Sequence, residues 1–407
     1  MPETSSSRFP QLDGIRGMAI LLVLIYHYLA AGIDPQSSPI ASWLAGPLSL
    51  TISGVDLFFV LSGFLIGGIL LDHRDAPHYF RAFYFRRVCR IFPLYFVWLL
   101  LFVVIGSAAT AFLLSVPLKT FLYEPVPLWW YATFTQNIAM ALMGTEGAHW
   151  LGVTWSLAVE EQFYLVLPPV VRFLSPRRLP FVLVTLIIAA PLLRAILIFI
   201  PPYSAYAGYV LMPTRADSLL MGVLAAYLIR QKKITQYLSD HLRTLYLALG
   251  IFLGGAIILS MVRGPLVSWV LHIYGYTWLA LLYSTLILIA MTEKKGAVKW
   301  LTTAPWLRNL GILAYGIYII HTAIEYLTHA LLLNQAPQVR TERDVLATLG
   351  ALLVTLTLAY FSWNLFEKRM VAIGHSVAYG NTETAIQDLA FPDYGDESIR
   401  HRQLSDT

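Results

Sequence analysis

An ionisable side chain inside a long apolar run is costly, so each one marks a candidate site. The first run is RGMAILLVLIYHY, residues 16–28, where Arg16 and His27 stand eleven residues apart. At 3.6 residues per turn that spacing is close to three turns, which puts both side chains on one helix face. His27 then lies roughly 15 Å beyond the cytoplasmic end of its helix, near the middle of a bilayer. Imidazole titrates near neutrality, so His27 is suited to act as a general base or as a nucleophile.

Other apolar runs carry comparable groups. LGVTWSLAVEEQFYLVLP (151–168) holds Glu160 and Glu161, and PTRADSLLMG (213–222) holds Arg215 and Asp217. GVDLFFVLSGF carries Asp56, and YGIYIIHTAIEY carries His321, with Glu325 one turn further on. Adjacent helical residues point about 100° apart, so Glu160 and Glu161 serve different surroundings. Arg194, toward the end of its run, reads as a snorkelling side chain that needs no partner. In FRRVCRIFPLYF, Arg87 and Arg90 are three residues apart and share a helix face. Guanidinium forks match phosphate geometry, so the pair could hold a phosphate-bearing ligand arriving from the cytosol, although such a pair by itself more often only sets topology. The competing explanations are buried ion pairs that only fix helix packing and basic residues that only set topology.

The elements that position these groups follow from composition. The 407 residues are 57% hydrophobic and 13% charged, against about 25% charged in ordinary soluble domains. Apolar runs long enough to cross a bilayer recur throughout. The fold class is all-α, a polytopic transmembrane helical bundle of about ten spanning helices. Their approximate positions are 17–33, 50–71, 91–116, 151–173, 180–200, 206–229, 244–262, 267–291, 308–333 and 346–366. The aromatic stretch 127–144 is short for a span and reads as an eleventh helix or as a re-entrant piece. Charge favours the second: ten spans with both termini cytoplasmic place Arg81, Arg86, Arg87, Arg90, Arg177, Arg178, Lys232, Lys233, Lys294 and Lys295 inside. In such a chain the basic excess marks cytoplasmic loops, with no nucleic-acid partner implied. Residues 1–370 form the transmembrane domain, and 371–407 form a polar, acidic-leaning cytoplasmic tail expected to be disordered. One cysteine, Cys89, excludes intrachain disulfides, and the scattered histidines give no metal-ligand pair on one helix face.

The ordered motifs resemble the acyltransferase family 3 membrane proteins. The arginine–ten residues–histidine spacing of Arg16 and His27, GVDLFFVLSGFLIG, RRVCRIFPLY, WSLAVEEQFYLVLP and RADSLLMG are similar to that family's blocks in their order. The similarity runs from about residue 10 to 368. It implies an O-acyltransferase of the cell (inner) membrane that moves an acyl group, often acetyl, from cytosolic acyl-CoA to a hydroxyl. The acceptor would be a glycan, a lipid-linked sugar, peptidoglycan or a secondary metabolite. By the same resemblance His27 is the essential histidine with Arg16 its partner, Glu160 is the motif glutamate, Arg87 and Arg90 handle the donor, and Asp56, Arg215 and Asp217 hold further polar motif positions. Acyl transfer then needs His27 as base or acyl carrier, with Glu160 or Asp56 as the carboxylate able to orient it. Arg16, Arg87, Arg90, Arg215, Asp217 and the mid-depth His321 are expected to bind substrate, and no cofactor stays bound. An extracytoplasmic SGNH-type domain, present in many relatives, is missing from this sequence, which leaves room for a simpler acceptor. The competing class is a proton-coupled transporter, which would use the same mid-bilayer His, Glu, Arg and Asp groups. Against it, inverted repeats with matching broken helices are not seen.

Overall fold

The computed structural model describes residues 9–36, 39–110, 116–200, 205–262 and 269–380. These are helical throughout, with no strand among the described residues. In chain order the helices are α1 (Pro10–Tyr28), α2 (Pro39–Ser49), α3 (Gly54–Asp72), α4 (Tyr79–Thr110), α5 (Val116–Leu122), α6 (Leu128–Ala132) and α7 (Gln136–Met143). Then come α8 (Trp155–Phe173), α9 (Leu179–Leu197), α10 (Ala205–Val210), α11 (Met212–Ile229), α12 (Lys232–Asp240) and α13 (Leu242–Met261). The last are α14 (Tyr276–Thr292), α15 (Ala297–Thr302), α16 (Pro305–Ile312), α17 (Ala314–Leu333), α18 (Glu342–Ser362) and α19 (Lys368–His375).

Among the described residues, eight segments are long and apolar enough to cross a membrane, with bounds from Pro10–Gly32 to Glu342–His375. The chain is a multi-pass integral membrane protein. The other two expected spans, 151–173 and 206–229, correspond to α8 and α11, of 19 and 18 residues. Their charged groups are what lower their apolarity: Glu160, Glu161 and Arg172 in α8, and Arg215 and Asp217 in α11. The aromatic stretch 127–144 is two short helices, α6 and α7, broken at Phe134, whose φ is 54°. It is not a spanning helix.

The centre of the bundle is the crossing of α3 and α11. Asp56 pairs with Arg215 near their beginnings and Asp72 pairs with Arg230 near their ends, so the two helices run parallel. A Cβ on Gly63 would overlap the Leu219 carbonyl, and one on Gly222 would overlap the Val60 carbonyl. Glycine is thus required for backbones this close, the usual way membrane helices gain dispersion contact without a hydrophobic driving force. α1 packs along α16, and α17 along α18. α18 starts at a capping box: Thr341 Oγ1 accepts from the Asp344 amide at 3.3 Å, and the Asp344 carboxylate accepts from the Thr341 amide at 2.9 Å.

A tail starting at residue 371 does not describe residues 371–380. Tyr379 is buried, stacks on His73 with ring centroids 4.0 Å apart, and lies 4.7 Å below the Arg86 guanidinium. Arg86 also donates to the Val377 carbonyl at 3.0 and 3.1 Å. These contacts anchor the segment on α4, so the packed part extends past the boundary at 370; residues 381–407 lie outside the described residues.

Candidate active site

α1, α3, α4, α8 and α17 enclose a cavity of about 210 Å³. Its polar lining includes Arg16, Arg87, Arg90 and Glu160, together with Ser62 and Tyr164. Ser156, Glu160 and Tyr164 recur every fourth residue of α8 and line the cavity as one face. The Tyr164 hydroxyl donates to Glu160 Oε2 at 3.1 Å and bonds to Ser62 Oγ, which fixes the carboxylate. Arg16 is held by Asp13 at 2.8 Å, one turn earlier in α1. Arg16, Arg87 and Arg90 are close enough to act on one another electrostatically. Arg87 and Arg90 donate to no protein acceptor among the described residues. Like charges held together with open donors are chemically suited to an anion. Glu161, as its 100° offset demands, points elsewhere, with Oε1 buried and unpartnered.

From the arginines the cavity runs along α17 past Tyr315 to Tyr318. The Tyr315 hydroxyl is tied to the Ile91 carbonyl at 2.7 Å. The Tyr318 hydroxyl bonds to Ser156 Oγ and to the Val153 carbonyl at 3.1 Å. Beyond it stands His321, with ring centroids 5.8 Å from Tyr318 and 4.8 Å from His27. His321 Nδ1 faces the Tyr318 and Ile317 carbonyls at 2.7 and 3.2 Å, so it must carry the hydrogen. Nε2 then keeps its lone pair and has no partner. The Tyr28 hydroxyl, bonded to Thr355 at 2.7 Å and to the His321 carbonyl at 3.0 Å, braces this turn. His321 is fully buried, whereas His27 is half-buried. His27 does not line the arginine cavity. It ends α1, in the helix's last turn, yet faces α17 in mid-course.

The remaining candidates form a separate cluster. Asp56 pairs with Arg215, whose guanidinium lies over Tyr276 at 3.8 Å, with Nε and Nη1 unpartnered. Asp217 is gripped by Arg194 through Nη1 at 3.2 Å and Nη2 at 2.9 Å and accepts from Thr277 Oγ1 at 2.6 Å. Arg194 spends its other donors on Thr277, the Ile273 carbonyl and the Thr214 carbonyl. It is 1% exposed, so the snorkelling expectation fails, because Asp217 on a neighbouring helix supplies the counter-charge. None of Asp56, Arg215 and Asp217 lines the cavity.

The expected residues thus fall into three groups. Arg16, Arg87, Arg90 and Glu160 share the cavity, His27 meets His321, and Asp56, Arg215 and Asp217 join Arg194. Sequence reasoning passed over Ser62, Ser156, Tyr164, Tyr318 and Asp13. For Ser156 and Tyr164 a signal existed, since both stand one turn from Glu160.

A family model described as an acyltransferase domain matches residues 9–364. The chain is 28% identical over 341 residues to the O-acetyltransferase OatA of Staphylococcus aureus, covering 77% of this chain and 50% of that protein. It is 30% identical over 228 residues to the peptidoglycan O-acetyltransferase OatA of Listeria monocytogenes, covering 54% of this chain and 33% of that protein. The chain therefore spans about half, or less, of the length of these curated relatives. No solved structure matches it.

Proposed function

Since the chain belongs to the acyltransferase domain family, we propose that it is a membrane O-acyltransferase that moves an acyl group, acetyl first among them, from acyl-CoA to a hydroxyl of a cell-surface glycan. The observation that carries this reading is one juxtaposition. Three arginines and Glu160 line a cavity that ends at Tyr318, whose ring contacts His321, which in turn meets His27. Arg87 and Arg90 have open donors suited to the phosphates of the donor, and the apolar walls beyond them suit its pantetheine arm. Both termini and the arginine end then face the cytosol, where acyl-CoA is found, in the cell membrane.

The thioester carbonyl comes to rest beside His27. The imidazole takes the proton of the acceptor hydroxyl as its oxygen attacks, the carbon–sulfur bond breaks, and the leaving thiolate of CoA receives that proton. His321, with its tautomer fixed and its Nε2 lone pair free, holds the His27 ring and supports its charge in passing. Glu160, held by Tyr164, balances the arginines at the donor end. Asp56 is paired with Arg215 and serves that pair rather than His27. The likeness to the peptidoglycan O-acetyltransferase of Listeria supports peptidoglycan as one acceptor. Family membership gives no support to the transporter alternative.

The test is CoA release from radiolabelled acetyl-CoA by protein in nanodiscs, wild type beside His27→Ala. Release by the wild type that the variant loses while folded and monodisperse is the expected result. A folded variant as active as wild type would remove His27 from the mechanism.

A further inference from the structure

The acceptor needs a place of its own, reached from the far side of the histidine pair. Residues 144–154 join α7 to α8 as largely irregular backbone, with Gly144 and Gly147 at φ 64° and 72°. This loop nonetheless lies beside the middle of α17. The His149 carbonyl accepts from Thr322 Oγ1 at 3.5 Å, and the His149 ring stacks on Tyr326 at 5.2 Å. α8 begins at the same level, where Ser156 meets Tyr318. Irregular backbone at membrane depth persists only where protein buries it or where it lines water-filled space.

The loop is held from within by Glu124, which accepts from the Ala148 amide at 3.0 Å, the Val126 amide at 2.7 Å and the Tyr131 hydroxyl at 2.8 Å. Burial keeps the Glu124 carboxyl above the usual carboxylate range despite these donors, as befits a structural group. Glu146 and His149 are left exposed on the loop. Glu146 accepts no hydrogen bond among the described residues and lies within electrostatic reach of the Tyr26 and Tyr206 phenols. Tyr26 meets His27 edge-on at 5.0 Å. Tyr206 continues the aromatic wall to Tyr209 at 6.3 Å, which packs on Trp155 at 4.4 Å. None of Tyr26, Glu146, His149 and Tyr206 lines the arginine cavity, and Tyr26 is at the other end of α1 from Arg16.

We propose that Glu146, His149 and the rings of Tyr26 and Tyr206 form the acceptor site, which takes a hydroxyl-rich pyranose ring. Aromatic faces cover the C–H faces of such a ring, and a free carboxylate accepts strong bonds from neighbouring hydroxyls. Tyr26 carries the bound sugar to the edge of His27. This inference rests on the acyltransferase reading and deepens it by giving the second substrate its binding groups.

The experiment uses full-length protein in nanodiscs, acetyl-CoA as donor and chitotetraose, an uncharged N-acetylglucosamine tetramer, as probe. Acetylated sugar is measured by mass spectrometry, and CoA release without sugar, in which water takes the acetyl group as acetate, reports the donor site alone. Glu146→Ala is expected to raise the KM for the tetramer about tenfold to a hundredfold. Its sugar-free CoA release should stay within about twofold of wild type, as for a surface substitution. Glu146→Gln, which keeps one acceptor oxygen, should fall between. An unchanged KM, or an equal loss of sugar-free CoA release, would overturn the assignment. So would wild-type protein that releases CoA through His27 yet acetylates no tetramer. Wild-type protein that releases no CoA from acetyl-CoA would instead bring down the acyltransferase reading, and this site with it.

Discussion

Two groups of arginines in this bundle, one fully buried around Arg194 and one half-buried around Arg87 and Arg90, are built from the same residue types and are satisfied in opposite ways. Around Arg194 and Asp217 nearly every donor and acceptor is used: two bonds between the charges, a threonine bridging them, and carbonyls taking the rest. Around Arg87 and Arg90 the donors are open, other arginines stand close by, and the carboxylate that lines the same cavity, Glu160, is tied to a tyrosine. Saturation marks a scaffold and deficit marks a site, because charges with open donors grouped around a cavity are left for something else to pair. Arg215 stands between the two, with one carboxylate, one aromatic face and two unused nitrogens.

That contrast can be broken at several points. The largest effect is expected at the histidine pair, where His27→Ala should lower turnover about a hundredfold to ten-thousandfold, the usual worth of a general base. Thermal unfolding should be little changed, since among the described residues His27 makes ring contacts and no side-chain hydrogen bond. Next comes the scaffold. Asp217→Ala leaves Arg194 buried and uncompensated, at a cost of about 3–5 kcal/mol. Its expected signature is a lower unfolding midpoint with an unchanged KM for donor in the surviving fraction, measured by tryptophan fluorescence and CoA release. Arg87→Ala should do the reverse, raising the donor KM about tenfold to a hundredfold through a lost charge-assisted bond while the unfolding midpoint holds. Gly63→Ala forces α3 and α11 apart, at about 1–3 kcal/mol of stability by differential unfolding. Smallest is Tyr164→Phe, which frees the Glu160 carboxylate and should cost about 1 kcal/mol, read as a several-fold loss in kcat/KM.

The sequence made much of this arrangement legible, and unevenly so. Apolar runs and a helical period located the long helices, because both are local properties of the chain. The same-face reasoning was right for Arg87 and Arg90 and right to split Glu160 from Glu161. For Arg16 and His27 it told only half: the two share a helix, yet Arg16 opens into the cavity while His27 turns to α17. Partners on other helices were invisible, which is why Arg194 was misread and why Asp56 stood among the catalytic candidates although the fold commits it to Arg215. Tyr318 and Ser62 escaped because aromatic and hydroxyl residues in an apolar run read as packing. The loop at 144–154 was beyond reach for a different reason. Its depth is set by contacts with Thr322 and Tyr326, far along the chain, and by no pattern of its own.

The central claim is that the unsaturated arginines are the donor site and the saturated ones are not. The most direct measurement is calorimetric titration of CoA, the unreactive product, into nanodisc-held wild type, the Arg87→Ala/Arg90→Ala double variant and Asp217→Ala. The account predicts binding by the wild type, its loss in the double variant without loss of thermal stability, and wild-type affinity in whatever fraction of Asp217→Ala is folded. Equal affinity in the wild type and the double variant would contradict it.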